Sequence, residues 1–303
     1  MKKIVVFGGA GFIGQHVVKN LIGKGVRPVI FDRWVNGFPN VEDIKDYSIF
    51  VGDIKDREAV NYAVEMSDGA INLAGILGTS ETVDNPFPSV EVNIMGALNF
   101  LQACRIHDKP GVQIAVGNFF MNNSYSITKS TAERLALMFN KEHGTKIAVV
   151  RALNAYGEGQ KHYPIRKIMP NFIVRALQNK PIEIYGDGEQ VMDMVYVGDV
   201  AEALTRSLLN DHGQYARPIE IGTGRPTSVN EIAEAVIKAS GSTGGIKHIP
   251  MRKGEPEGSI VIGHPETLNP IAMDATNLMT LEVGVNKVVK WYKENYDWQN
   301  AKV

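Results

Sequence analysis

Tyr125 and Lys129 stand four residues apart, one turn if they share a helix, so both side chains would leave the same face. A phenol set beside an ammonium in this way can act as a base toward a hydroxyl group. Free phenol titrates near pH 10, and lowering its pKa by about three units takes about 4 kcal/mol of preferential stabilisation of the phenolate. A neighbouring positive charge can supply this. The spacing alone says little, because Tyr163 and Lys167 repeat it. Position separates the two copies. Tyr125 opens a run with Ala132, Leu135, Ala136 and Phe139 on one helical face, following the apolar strand Ile114-Ala115-Val116, and open α/β sheets bind ligands beyond such strand ends.

The elements that must position this pair begin at the N-terminus. Lys2 to Phe7 carries a continuous apolar run, as in a parallel strand buried on both faces, and Phe12, Ile13, Val17, Val18, Leu21 and Ile22 then recur at helical spacing. Between them, Gly8, Gly11 and Gly14 stand where a turn tightens, where backbone meets a ligand without an intervening Cβ, and where helix meets sheet. The free N–H groups at the start of that helix suit a pyrophosphate. A second strand, Pro28 to Phe31, ends in Asp32, whose carboxylate can accept both hydroxyls of an adenosine ribose. Strand, glycine turn, helix and strand-end acid together predict a dinucleotide site. Arg33 would favour a 2′-phosphate, but the Asp32 charge beside it would repel one, so NAD is expected over NADP.

Segment 33–46, with Asn36-Gly37 and Pro39-Asn40, reads as a surface loop. Ser48 to Val51 is the third strand, and a helix is expected over 57–64. Asp53 is set either to accept from the adenine amino group, with Ile54 against the ring, or to serve as a helix N-terminal acid. Ala70 to Gly75 is the fourth strand, whose last residues, Leu73, Ala74 and Gly75, bring backbone near the cofactor. A helix over 91–107, the strand 114–116, a helix over 125–140 and a strand over 147–150 continue the alternation. The class is therefore α/β, with a Rossmann-type doubly wound parallel sheet and right-handed crossovers. Beyond Arg151 the texture changes. A glycine-rich segment (156–164) leads to a helix over 165–177, a strand over 182–185, a helix capped by Asp199 and running to Leu209, a strand over 219–221, a helix opened by Ser228, and a last helix over 286–294. These predict a smaller C-terminal α/β substrate-binding lid. The NAD-binding domain is placed at 1–156 and about 190–216, the lid at about 157–189 and 217–303, with a cleft between them.

Bulk properties narrow the function classes. A net charge of −1 without a block of like charges leaves no electrostatic footprint for nucleic acid or membrane. The one cysteine, Cys104, cannot form an internal disulfide and reads as a small core residue. The seven histidines show no metal-ligand spacing, so no metal is expected. The apolar run after Lys3 breaks at Gly8-Gly9 without a cleavage pattern, so the protein is expected to be cytoplasmic.

These motifs resemble those of the extended short-chain dehydrogenase/reductase family, the NAD-dependent nucleotide-sugar epimerases and dehydratases. The matching residues are Gly8 to Gly14, Gly52-Asp53-Ile54, Asn93 to Leu101, Tyr125 with Lys129, Arg151 to Gly157, Tyr185 to Gly188, Tyr196 to Val200 and Ile221 to Gly224. The resemblance implies that Tyr125 exchanges a proton with a sugar 4-hydroxyl while hydride passes between sugar C4 and the nicotinamide. Lys129 would hold the ribose and lower the Tyr125 pKa. Further cofactor contacts are implied for Phe12, Ile13, Asn93 and Leu153. For the substrate, Asn154 and Arg252 would meet the diphosphate, Ile184 and Tyr185 would lie along the nucleotide base, and Met192 takes a diphosphate-facing position. Read without the resemblance, Arg252 could equally be a solvated surface charge. Family helices like those over 91–107 and 125–140 pair across a dimer axis, so the resemblance implies a homodimer. Leu98, Leu101, Leu137 and Met138 are the apolar residues beyond one stripe; the pattern alone also suits a monomer with those faces under loops.

Three departures bear on the activity. Where the family usually has serine or threonine at the end of the fifth strand, this chain has Val116-Gly117-Asn118; Asn118 would either donate an amide hydrogen bond to the reacting hydroxyl or cap the strand. The segment from Asn118 to Tyr125 is short for the family. The usual arginine before Asp193 is Met192, so Arg252, Arg166 or Lys167 would have to compensate for the lost charge. Dehydratases of the family place an acidic pair after the strand-end threonine, and Gly117-Asn118-Phe119-Phe120 holds no carboxylate. A 4-epimerase is therefore expected. A 4,6- or 5,6-dehydratase or a keto-sugar reductase is the alternative, and a non-catalytic NAD-binding sensor or scaffold is the reading from another class.

Overall fold

In β1 (Lys3–Phe7), Ile4 and Val6 enter one hydrophobic cluster while Val5 and Phe7 enter another, which is what a strand covered on both faces requires. The computed structural model describes residues 1–34 and 47–303, so the loop expected over 33–46 lies almost wholly outside the described residues. From β1 the chain runs through α1 (Phe12–Gly23), β2 (Arg27–Asp32), β3 (Ser48–Val51), α2 (Arg57–Glu65), β4 (Gly69–Asn72) and α3 (Phe87–Ser89). A π-helical stretch, Val90–Gly96, continues into α4 (Ala97–Ile106), followed by β5 (Gly111–Val116), α5 (Ser124–His143) and β6 (Ile147–Ala152). Next come β7 (Asn154–Tyr156), α6 (Ile168–Leu177), β8 (Ile182–Tyr185), β9 (Val191–Met192), β10 (Met194–Tyr196), α7 (Val197–Leu209) and β11 (Ile219–Ile221). The last elements are β12 (Thr227–Ser228), α8 (Val229–Ser240), β13 (Ile246–Ile249), β14 (Ile260–Val261), two 3-10 stretches (Pro265–Ile271 and Ala275–Asn277) and α9 (Leu281–Asn295).

Seven strands form the central sheet in the order β11-β6-β5-β4-β1-β2-β3, every pair parallel. Helices α1 and α7 cover one face with Val17, Leu21, Val200 and Leu204, while α2, α4 and α5 cover the other with Val60, Phe100, Leu101 and Phe139. The strand order turns back at β1, between β2 and β4, which opens a crevice beyond the carboxyl ends of these strands. A third cluster, built from α6, α8, α9 and β8, is the core of the smaller half.

Several boundaries differ from expectation for local reasons. Strand β4 stops at Asn72 because its Oδ1 accepts from the Ala74 N–H at 3.1 Å, turning Leu73 to Gly75 out of the sheet. The α6 helix starts at Ile168, since Lys167 is extended and occupies its N-cap. Asp199 does not cap α7: Tyr196 holds that place, and the Asp199 carboxylate accepts from the Met279 N–H at 2.9 Å. The helix expected over 286–294 begins earlier, after an extended Thr280. Strand β11, assigned from the sequence to the lid, is instead the edge strand of the central sheet beside β6, and Leu268 and Ile271 from farther along the chain join the same core.

Candidate active site

The glycine turn is built so that side chains cannot enter it. Gly8 has φ +75°, and a Cβ there would lie 2.9 Å from the Ala74 nitrogen; one at Gly14 would lie 2.3 Å from the Gly8 carbonyl oxygen. Gly11 stands at the N-cap of α1, which has neither a side-chain cap nor an acidic residue in its first turn. The first-turn N–H groups therefore face the crevice with their partial positive charge uncancelled. Asp32 ends β2 with Oδ2 accepting from the Ala10 N–H at 3.1 Å and Oδ1 from the Arg33 N–H at 2.8 Å. Arg33 in turn lies 3.7 Å from the Asp53 carboxylate. The helix-capping role weighed for Asp53 belongs to Asp56, whose side chain accepts from Glu58 and Ala59.

From this turn a cavity of about 570 Å³ runs under the smaller half of the molecule. Its nucleotide end is lined by Gly8, Gly11, Phe12, Ile13, Gly14, Asp32, Arg33, Asp53, Ile54 and Leu73 to Gly75, its middle by Asn118, Tyr125, Lys129 and Leu153, and its far end by Asn154, Tyr185, Met192 and Arg252. Two residues expected at the site do not line it. Asn93 is buried and works as a clamp: Oδ1 accepts from the Ile76 N–H at 2.8 Å, while Nδ2 donates to the Ile76 carbonyl and to Thr128 Oγ1. It thereby fixes the segment after β4 against α5. Ile184 points into the core of the smaller half, because alternate residues of a strand face opposite ways and its neighbour Tyr185 takes the cleft side.

Helix α5 is opened by Asn123, whose Oδ1 accepts from the Ser126 N–H at 2.9 Å and whose amide reaches the Gly254 carbonyl at 3.1 Å. This cap aims the first helical turn, with Tyr125, into the cleft, and Lys129 follows one turn later, buried. Burial pushes the Tyr125 phenol up to about 12 and the Lys129 ammonium down to about 8. This reverses the expectation that Lys129 lowers the phenol. In the protein alone, desolvation disfavours the charged form of both groups, raising the phenol and lowering the ammonium. Asn118 turns its Nδ2 toward Met121 Sδ at 3.6 Å and accepts the Met121 N–H on its carbonyl.

The opposite wall brings together residues far apart in sequence. Arg252 is no solvated surface charge: its Nε donates to Glu255 at 2.9 Å, and its guanidinium sits 5.4 Å above the Tyr185 ring. Glu255 also accepts from Thr79 Oγ1 at 2.6 Å. Burial would raise the Glu255 carboxyl, but the hydrogen bonds and charge of Arg252 outweigh it and hold the group below the usual carboxylate range. Arg166 donates from Nη1 to the Tyr185 hydroxyl at 2.6 Å and from its backbone N–H to Glu81 at 3.1 Å. The Lys167 ammonium lies 5.8 Å above the Tyr125 ring. Thr79, Glu81 and Glu255 were not foreseen, since each is an isolated polar residue in a loop and only the tertiary fold unites them. Asn154 donates from Nδ2 to the Asp193 carbonyl at 3.4 Å, and Met192 is half-buried in β9.

The uncapped helix start, the glycines that admit no Cβ and the strand-end Asp32 fit a dinucleotide pyrophosphate and ribose. A family model described as the NAD dependent epimerase/dehydratase family matches residues 112–222, and one described as GDP-mannose 4,6 dehydratase matches residues 5–116. A putative UDP-glucose 4-epimerase of Methanocaldococcus jannaschii is 30% identical over 314 residues, spanning 96% of this chain and 99% of the relative. The chain belongs to the NAD-dependent epimerase/dehydratase family. It is an NAD-dependent enzyme with a Rossmann-type α/β fold, as the motifs implied. A dTDP-glucose 4,6-dehydratase of Xanthomonas campestris is 26% identical, covering 97% of this chain and 94% of its own. The crystal structure of a UDP-glucose 4-epimerase from Thermotoga maritima, solved with UDP-glucose, superposes with a TM-score of 0.87 at 25% identity, covering 97% of this chain and 100% of that one. Among the described residues no helix is long and apolar enough to cross a membrane, and no group of His, Cys, Asp or Glu could hold a metal ion.

Proposed function

We propose that the protein is a nucleotide-sugar 4-epimerase that oxidises sugar C4 to a transient ketone and returns the hydride to the other face. One observation carries this reading. The cleft offers the Tyr125 phenol but, among the described residues, no carboxyl group free to donate a proton: Glu255 is committed to Arg252 and Thr79, Glu81 takes the Arg166 N–H, Glu183 is paired with Arg175 at 2.7 Å, and Asp32 and Asp53 lie at the glycine-turn end. Loss of water from a 4-keto sugar needs an acid and a base in addition to the oxidising group, whereas epimerisation does not. Bound NAD supplies the hydride acceptor and donor. Tyr125 takes the proton of the C4 hydroxyl and returns it, Lys129 holds the ribose, and Asn118 offers its amide to the reacting oxygen. Gly8, Gly11 and Gly14 with Asp32 hold the dinucleotide, alongside Phe12, Ile13, Arg33, Asp53, Ile54, Leu73 to Gly75 and Leu153. Arg252 and Asn154 face the diphosphate, with Arg166 supplying the charge that Met192 lacks.

The Methanocaldococcus relative makes UDP-sugars the first substrates to test. A cytoplasmic location accords with such substrates. Val90 and Met95 before α4, with Ile127 and Met138 on α5, leave apolar surface exposed, which supports a homodimer across these helices; Leu101, by contrast, packs inward. Incubation of the purified protein with UDP-, dTDP- and GDP-sugars tests the reading. An epimer of unchanged mass supports it. A product lighter by one water would favour dehydration, the activity named for the Xanthomonas relative, and retained NAD without any product would point to a sensor.

A further inference from the structure

We propose that Lys167, carried by the lid, is a second cation for the Tyr125 phenolate, so that the base is completed only when the smaller half is seated over the cleft. The inference rests on the assignment of Tyr125 as the base and adds a residue that the Tyr125–Lys129 spacing does not contain. Its ammonium lies 5.8 Å above the Tyr125 ring, close enough for a unit charge to act on the phenol oxygen through a medium of low polarity. Among the described residues, its Nζ takes no hydrogen bond or ion pair, although Glu81, Glu255 and Arg252 face it from the loops after β4 and β13. Those three neighbours already have partners: Glu255 with Arg252, and Glu81 with the Arg166 backbone.

The need for a second cation follows from what surrounds the phenol. The strand-end hydroxyl is absent, and the Asn118 amide that stands in its place is uncharged, with Nδ2 also 3.6 Å from Met121 Sδ. Lys129, the ammonium one turn along the phenol's own helix, is fully desolvated and is lowered to about 8. Burial lowers Lys167 as well, and the Arg252 charge adds to that; the Glu81 and Glu255 carboxylates offset part of the lowering. Lys167 sits at the N-cap of α6, so its position over Tyr125 depends on the packing of that helix in the smaller half.

Titration of Tyr125 in the NAD-loaded protein tests this, read as near-ultraviolet phenolate absorbance with Tyr125→Phe as the blank. Lys167→Met should raise the midpoint by about one to two pH units, the size expected for a unit charge at about 6 Å through an effective dielectric of about 20 to 40. Lys167→Arg should restore most of it. The acid limb of the turnover profile should move by the same amount, while circular dichroism and NAD content stay as in the parent. An unmoved midpoint in Lys167→Met overturns the proposal, including the case where UDP binds more weakly, since Lys167 would then be a diphosphate ligand only. If Tyr125→Phe itself retains turnover, the underlying assignment of the base fails instead, and the two failures are thereby distinguished.

Discussion

Tyr125 with Lys129 and Tyr163 with Lys167 have the same spacing and opposite fates. The first pair lies within α5, where four residues make one turn, and both side chains are held in or beside the cleft. The second pair lies on chain that is not helical until Ile168; Tyr163 is 72% exposed, while Lys167 reaches across to the ring of Tyr125. A spacing of four means a shared face only inside a helix. What the second copy contributes is one residue delivered by an extended segment, and that residue is aimed at the first copy.

Substitutions sharpen the contrast. Tyr125→Phe should lower turnover by roughly a thousand-fold while bound NAD, measured after denaturation, is retained; undiminished turnover would erase the difference between the pairs. Lys129→Met should change stability rather than fold. The Lys129 pKa in the folded chain, about 8 against an ordinary value of 10.5, means that the unfolded state binds more protons in that interval. The ligand-free protein should therefore become more stable as pH rises from about 8 toward 10.5, by about 3 kcal/mol from this residue. Urea unfolding at stepped pH should show that slope and its loss in Lys129→Met. Glu133→Gln reaches the anchoring of the helix that carries the first pair. Glu133 is buried and binds Arg151 through both oxygens, at 2.6 and 2.8 Å, so the change should cost about 2 kcal/mol and lower the melting temperature. Tyr163→Phe should alter stability by less than about 0.5 kcal/mol and leave turnover within about two-fold.

Much of the first half was legible because its signals are local. A glycine turn, a strand-end Asp32 and a buried apolar run each announce themselves within a few residues. The lid was legible in outline, through strands such as Ile182 to Tyr185 and the Ser228 cap, which closes a capping box with Glu231. Asn93 and Ile184 were misjudged as contacts, because a motif gives a residue's place in the chain and not which way its side chain turns. The protonation order of Tyr125 and Lys129 was hidden too, since desolvation depends on everything packed around them. Thr79, Glu81 and Glu255 meet only through tertiary structure, and no periodicity could join them.

The placement of β11 has a consequence for biosynthesis. The central sheet gains its edge strand from Ile219 to Ile221, and α7, just before it, supplies the cover for Ile4, Val6 and Leu21. A nascent chain that has emerged only as far as Tyr156 therefore carries a sheet with one face only partly covered, by α1 alone, whatever the integrity of its glycine turn. The half of the protein made first must wait on the ribosome for the half made last, and a shortened gene product ending there would be expected to clump rather than bind nucleotide.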